Sequence, residues 1–140
     1  MTDREVKEYL FSYQDAWKDI DAAREEIAIL RSRAEKVTSV ISAAPSSGNS
    51  AGNGFTIAVD KRVMLEEKLH KKIYKAIELR EEIESKIELI DVPIYRRILR
   101  RRYINGVSLK SIAAAEGYNY TYICEQHGAA LEAFRNKTSE

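Results

Sequence analysis

A chain of 140 residues holds one domain or two small ones, and its 23 basic and 22 acidic side chains nearly cancel. Residues 1–91 carry 15 basic and 18 acidic groups (net −3), whereas residues 92–140 carry 8 and 4 (net +4); a small basic end on an acidic body suits a local anion partner rather than bulk polyanion binding. One cysteine, Cys124, excludes an intrachain disulfide framework and a zinc cluster, 44% hydrophobic residues exclude wholesale disorder, and the absence of an 18-residue apolar run or a cationic-then-apolar leader sets the expectation of a cytoplasmic protein without a membrane span.

Six Gly and two Pro in the whole chain favour long helices over a turn-rich sheet protein, so the expected class is all-α. The first predicted element is a helix over about 3–42. Thr2-x-x-Glu5 has the spacing of a capping box, in which hydroxyl and carboxylate each take the other residue's amide. Leu10, Tyr13, Trp17, Ile20, Ile27, Leu30, Ala34, Val37 and Ile41 then recur in steps of 3 and 4 apart from one gap, which Arg24 fills. That rhythm is the seam of a coiled coil. Residues 42–54 contain no charge and no apolar side chain larger than Ala or Pro, so they read as a flexible connector. Phe55, Ile57 and Val59 alternate as in a short extended piece.

A second long helix is predicted from Asp60, as its cap, to about Ile90, with Leu69, Ile73, Ala76, Ile83, Ile87 and Ile90 on the seam and Arg80 interrupting it. Folding back about a point near residue 52 sets Arg24 opposite Arg80, and the two cations are expected to reach Glu81, Glu84 or Glu25. Two seams joined by a short linker predict a long antiparallel helical hairpin over residues 1–90, its loop about 42–58. A lone two-helix hairpin buries little, which adds the expectation of a homo-oligomer or of docking onto the C-terminal part.

Asp91-Val92-Pro93 interrupts the chain, with Pro93 suited to a helix's first turn and Asp91 to its cap. Residues 91–140 form the second predicted domain, with helices at about 93–104, 108–115 and 119–135. Asn105-Gly106 and Gly117 end the first two, and Ser108 and Asn119 cap the last two. Two helices joined by a turn of about four residues containing Gly have the form of a helix-turn-helix. Leu109, Ile112 and Ala113 are placed to pack on Ile123, Ala130 and Leu131.

Val92-Pro93, Ile98-Leu99-Arg100-Arg101-Arg102-Tyr103, Gly106, Ser108-Leu109-Lys110-Ser111-Ile112-Ala113, Gly117-Tyr118, Ile123, Ala130-Leu131 and Phe134-Arg135 together resemble the fourth conserved region of bacterial sigma factors. The similarity spans about residues 91–136. Joined to a helical hairpin, the module resembles phage and prophage transcription regulators of the ArpU and RinA type. The resemblance implies a sequence-specific DNA-binding regulator whose third helix enters the major groove of double-stranded DNA. Asn119, Tyr120, Thr121, Cys124 and Glu125 are then the expected base contacts. Phosphate contacts are expected from Arg96, Arg97, Arg100 and Arg101, and from Ser108 and Lys110 at a helix N-terminus. Tyr120 and Cys124 stand where sigma factors usually present Arg or Glu, and Ser111 stands where an acid usually precedes Ile-Ala, so Arg102 needs another partner.

Other residues carry plainer expectations. Tyr118 is read as core. Cys124 and His127 share a helix face as two metal ligands could, but two ligands make no zinc site, and no metal or other cofactor is expected. His70 lies among lysines on a charged face, Trp17 belongs to the seam, and Gly128 marks either a close helix contact or neutral drift. No enzyme is expected: the Gly-rich stretch 48–54 lacks the Lys-Ser/Thr of a phosphate loop, and the carboxylates interleave with cations at helical spacing. Two other functions fit the same pattern, a small terminase subunit of the DNA-packaging type and a protein-interaction module that binds RNA polymerase.

Overall fold

The computed structural model describes residues 1–43 and 49–139, with side chains described outside 37–55. All elements among them are helical. α1 is Asp3–Ala43, α2 is Asn49–Glu88, α3 begins as Pro93–Leu99 and continues as a π-helical turn over Arg100–Ile104, α4 is Leu109–Glu116, and α5 is Tyr120–Thr138. No described helix is long and apolar enough to cross a membrane.

The all-α architecture therefore holds, as a long helix pair followed by a helical module. The connector differs from its expectation. Residues 44–48 lie outside the described set, but from Asn49 the chain is already helical, so the loop expected over 42–58 ends early. Ile57 and Val59 belong to α2 rather than to an extended piece, and Asp60 is interior to that helix. Extending a formed helix adds one hydrogen bond per residue fixed, so a nucleated seam carries its ends past residues of poor propensity.

The chain divides into two compact units, Trp17–Lys75 and Met1–Ala16 with Ala76–Glu140. Compactness thus does not divide the chain at residue 90. The first turns of α1 and the last turns of α2 pack with the C-terminal helices, because Gln14, Tyr9 and Asp3 all find partners there or on α2. In this unit the capping box forms as expected, with Glu5 N donating to Thr2 Oγ1 and Thr2 N to Glu5 Oε2, both at 3.2 Å. Leu10, Tyr13, Ile83, Ile87 and Ile90 are buried seam positions, joined by Val6 one heptad before Tyr13. Tyr9 donates to Glu82 at 2.7 Å and accepts from Lys86 at 2.9 Å. Arg80 reaches Glu84 at 3.0 Å, one of the partners expected for it.

A second layer is the bundle of α3, α4 and α5. Ile98, Ile112, Ala113 and Ile123 form its core, with Ile94, Val107, Leu109 and Tyr122 packed against it. Along α5 the buried side is Ile123, Ala130, Leu131 and Phe134. Pro93 occupies the first turn of α3 as expected, but Val92 rather than Asp91 is its cap residue. Asp91 instead lies 3.5 Å from Lys137. The π turn leaves backbone carbonyls displaced from the α ladder: Asn105 N bonds to Arg100 O and Val107 N to Arg101 O. Gln14 Nε2 donates to the carbonyls of Tyr103 and Ile104 at 3.2 and 2.9 Å, which ties α1 to this turn.

In the other unit, Ile20, Ile27 and Ala34 are buried on α1, and Trp17 and Leu30 are half-buried. Leu69 and Ile73 are half-buried on α2. Arg31 pairs with Glu66 at 3.5 Å across the two helices. The midpoint of that pair falls between residues 48 and 49, and that of Tyr9 and Lys86 between 47 and 48, so the fold-back is earlier than residue 52. The facing of Arg24 and Arg80 does not follow from this register. Arg24 lies 3.7 Å from Asp21 and its guanidinium sits 5.7 Å from the Trp17 ring centroid. Val37 and Ile41, the last seam positions read on α1, have no described side chains.

Candidate nucleic-acid interface

The helix-turn-helix geometry starts from its caps. Ser108 is extended and its Oγ accepts from Ser111 N at 3.2 Å, opening α4. Gly117 ends α4 in the left-handed conformation, with φ of 75°, and Tyr118 N returns to Ala113 O at 3.1 Å. That backbone state strains any residue with a Cβ. Asn119 is extended and its Oδ1 accepts from Tyr122 N at 2.8 Å, opening α5. Stop, turn and start thus occupy Gly117, Tyr118 and Asn119 alone, and Ile112, Ala113 and Ile123 close the corner behind them.

The outer side of α5 follows from its period. With Ile123, Ala130, Leu131 and Phe134 inward, Thr121, Glu125, Gly128 and Glu132 fall outward, and all four are exposed. Tyr120 is 49% exposed at the first turn, and Cys124 is half-buried one turn on. A hydrogen bond to Cys124 pushes the Tyr120 hydroxyl up. The expected base-contact set therefore sits together at one end of α5, and Tyr120, Thr121 and Glu125 present their side chains to solvent. Asn119 does not present its carbonyl oxygen, which the cap consumes; bidentate pairing with adenine would require giving that cap up. Tyr118, read as core, is 49% exposed instead, its ring 4.7 Å from that of Tyr122.

Each of the four arginines expected to contact phosphate on α3 has a partner within the chain, and Arg97, Arg100 and Arg101 keep 49%, 42% and 40% of their side chains exposed. Arg96 donates to the Ile90 carbonyl at 2.6 Å, closing the end of α2. Arg97 makes a two-pronged contact to Glu116 at 2.9 and 3.1 Å, and Arg101 reaches the same carboxylate at 3.5 Å. Arg100 pairs with Glu88. The Arg97 hydrogen bonds hold the Glu116 carboxyl below its usual range. Arg102 finds the partner it lacked at the Val107 carbonyl, 3.4 Å away, and lies 5.3 Å from the Phe11 ring centroid. Ser108 and Lys110 remain exposed at the start of α4.

Sequence reasoning passed over Glu116, the side chain that gathers two of the arginines. Its position one residue before the helix-ending Gly117, facing an Arg at i and i+4 on the preceding helix, was the available signal. It also passed over the contact between the buried Tyr103 and the half-buried His127 of α5. Tyr103 Oη and His127 Nε2 are 2.8 Å apart. Burial pushes the Tyr103 hydroxyl up to about 12. Burial, with Lys7 and Arg102 nearby, lowers His127 to about 4. His127 is thus a neutral packing residue joined to Tyr103. No group of three or more candidate metal ligands occurs among the described residues. The chain matches no protein-family model, no curated protein and no solved structure.

Proposed function

We propose that this chain is a sequence-specific DNA-binding transcriptional regulator of the phage or prophage type, reading the major groove with the first turns of α5. The observation that supports this most is the sharply capped α4–turn–α5 corner, with Tyr120, Thr121 and Glu125 exposed at the leading end of the second helix. Thr121 offers a methyl to thymine, and Glu125 accepts from cytosine N4. Glu125 and Glu132 also repel phosphate, and the arginines of α3 are engaged. Binding by this surface is therefore dominated by base edges, with few phosphate contacts. With Lys110 as the cation of these two helices that has no ion pair among the described residues, the expected salt slope is about −1 per protomer.

Selection of bound duplexes from a random pool, followed by anisotropy titration, tests the reading. A defined consensus is expected, with discrimination at one position lost in Thr121→Ala or Glu125→Ala and the salt slope reduced by about 1 in Lys110→Ala. If no duplex is retained even at low salt, the proposal fails. A second reading is favoured by the 49% exposure of both Tyr118 and Tyr120 beside a helix face that carries Glu125 and Glu132: a protein-contact module, with RNA polymerase as the expected partner. Retention of polymerase after nuclease treatment, lost in Tyr120→Ala, would favour it over DNA reading.

A further inference from the structure

The acidic excess of residues 1–91 is not spread evenly. From Lys61 to Lys75 stand six basic and two acidic side chains (net +4), and the whole segment lies in α2 and in the Trp17–Lys75 unit. At about 100° per residue, Lys61, Lys68, Lys71, Lys72 and Lys75 fall within one arc of about 100°, flanking the seam positions Leu69 and Ile73. Met64 is the only other residue of the segment in that arc, so no carboxylate interrupts it. All five lysines are exposed. None of their ammonium groups has an ion pair or hydrogen bond among the described residues. Of the two acids, Glu66 is taken by Arg31 and Arg62, and Glu67 makes no ion pair with Lys71 one turn on. Lys68 stands three and four residues before Lys71 and Lys72, and Lys75 stands four and three after them. Like charges at those spacings repel, so the helix carries four unrelieved repulsions on one flank.

We propose that this lysine flank is a sequence-independent binding surface for the phosphate backbone of double-stranded DNA. A polyanion laid along it relieves all four repulsions at once and gives up its condensed counterions in doing so. Ammonium groups on flexible stems act as point charges and accept phosphates without a fixed geometry. At 1.5 Å per residue the row runs about 21 Å, the span of several phosphates of one strand. An anionic membrane fits less well. A helix lying in a bilayer surface buries a broad apolar face, whereas Leu69 and Ile73 are already half-buried and Met64 stands alone among the lysines. The flank goes beyond base reading by α5, since it holds a duplex of any sequence.

Anisotropy titration of the full chain with a labelled duplex of arbitrary sequence, repeated over a range of sodium chloride concentrations, tests it. The salt slope is expected to be steeper than the value of about −1 that Lys110 alone gives, by about 0.9 for each lysine engaged. Lys72→Gln/Lys75→Gln is expected to reduce the slope by about 1.8, and the same two changed to Arg to keep it. Arg4→Gln/Lys7→Gln removes the same charge from exposed positions at the start of α1 and is expected to leave the slope unchanged. Helical ellipticity checks each variant, and Lys68→Gln/Lys71→Gln replaces a lysine pair that loses it. A slope of about −1 or less in the unmodified chain overturns the proposal without any variant. Equal losses in the α1 and α2 pairs overturn it too, since net charge alone then governs binding. Retention on phosphatidylserine vesicles with none on the duplex overturns it in favour of a membrane. Salt-steep binding with no consensus sequence sinks base reading by α5 alone, and a consensus bound with the shallow slope sinks the lysine flank alone.

Discussion

Gly128 sits on the outward side of α5, and a Cβ placed there meets nothing within 4 Å. A close helix contact therefore does not account for it. In a helix interior Ala exceeds Gly by about 1 kcal/mol, so Gly128→Ala is expected to raise unfolding stability by that amount in urea denaturation. His127 carries the other prediction at this scale. Its folded value of about 4 lies below the ordinary 6.5 because burial disfavours the imidazolium, and Tyr103, Lys7 and Arg102 are near it with no carboxylate partner among the described residues. Between those values the unfolded chain binds the extra proton. This group's contribution is thus fully present above about 6.5 and is lost as pH falls towards about 4. His127→Gln is expected to flatten that part of the acid limb of a stability–pH profile, and an unchanged limb would assign the loss to carboxylates instead. Neither residue was legible from spacing alone. A glycine in a helix and a histidine three residues from a cysteine look the same whether or not anything packs on them.

The seams of α1 and α2 were legible because apolar side chains at steps of 3 and 4 have only one face to bury. Leu10, Tyr13, Ile20, Ile27 and Ala34 are buried as that rule requires, as are Ala76, Ile83, Ile87 and Ile90. The caps at Thr2, Ser108 and Asn119 were legible for a similar reason, since each acts on an amide three residues away. Partners chosen by tertiary approach were not. Nothing local selects Glu116 for Arg97, or Gln14 for the carbonyls of Tyr103 and Ile104, across 89 and 90 residues of chain. The start of α2 was misread because Gly, Ser and Asn signal a loop while helix propagation decided otherwise. Asn119 tests whether a cap and a base contact can be separated. Asn119→Ala is expected to cost about 1 kcal/mol in thermal or chemical unfolding, whereas Asn119→Asp keeps the acceptor and most of the stability. A loss of equal size in both variants would show that the amide nitrogen, not the cap oxygen, is what the site uses.

Burial is unevenly shared along the molecule. Of the buried apolar residues described, Ile20, Ile27 and Ala34 lie in the Trp17–Lys75 unit, and all the others lie in the unit formed by the two ends of the chain. Local opening follows the apolar contacts that must be broken. Hydrogen exchange read by mass spectrometry is therefore expected to be faster over about 20–35 and 57–75 than over 98–134, even though α1 and α2 run through both units. Uniform protection along α1 would contradict this and would point to a partner covering the exposed Ile29, Met64 and Tyr74.

The widened turn at Arg100–Ile104 sets a direction as well as a bond pattern. Each residue of an ideal α-helix rotates the chain by about 100°. Deleting one residue there, so that the turn tightens to the ordinary ladder, would swing everything after it by roughly that angle relative to Ile98 and Leu99. The side of α5 now turned outward would then be aimed elsewhere with its own residues unchanged. This one spare residue works as an angular spacer, so the aim of the final two helices is adjustable without touching a residue on the surface they present.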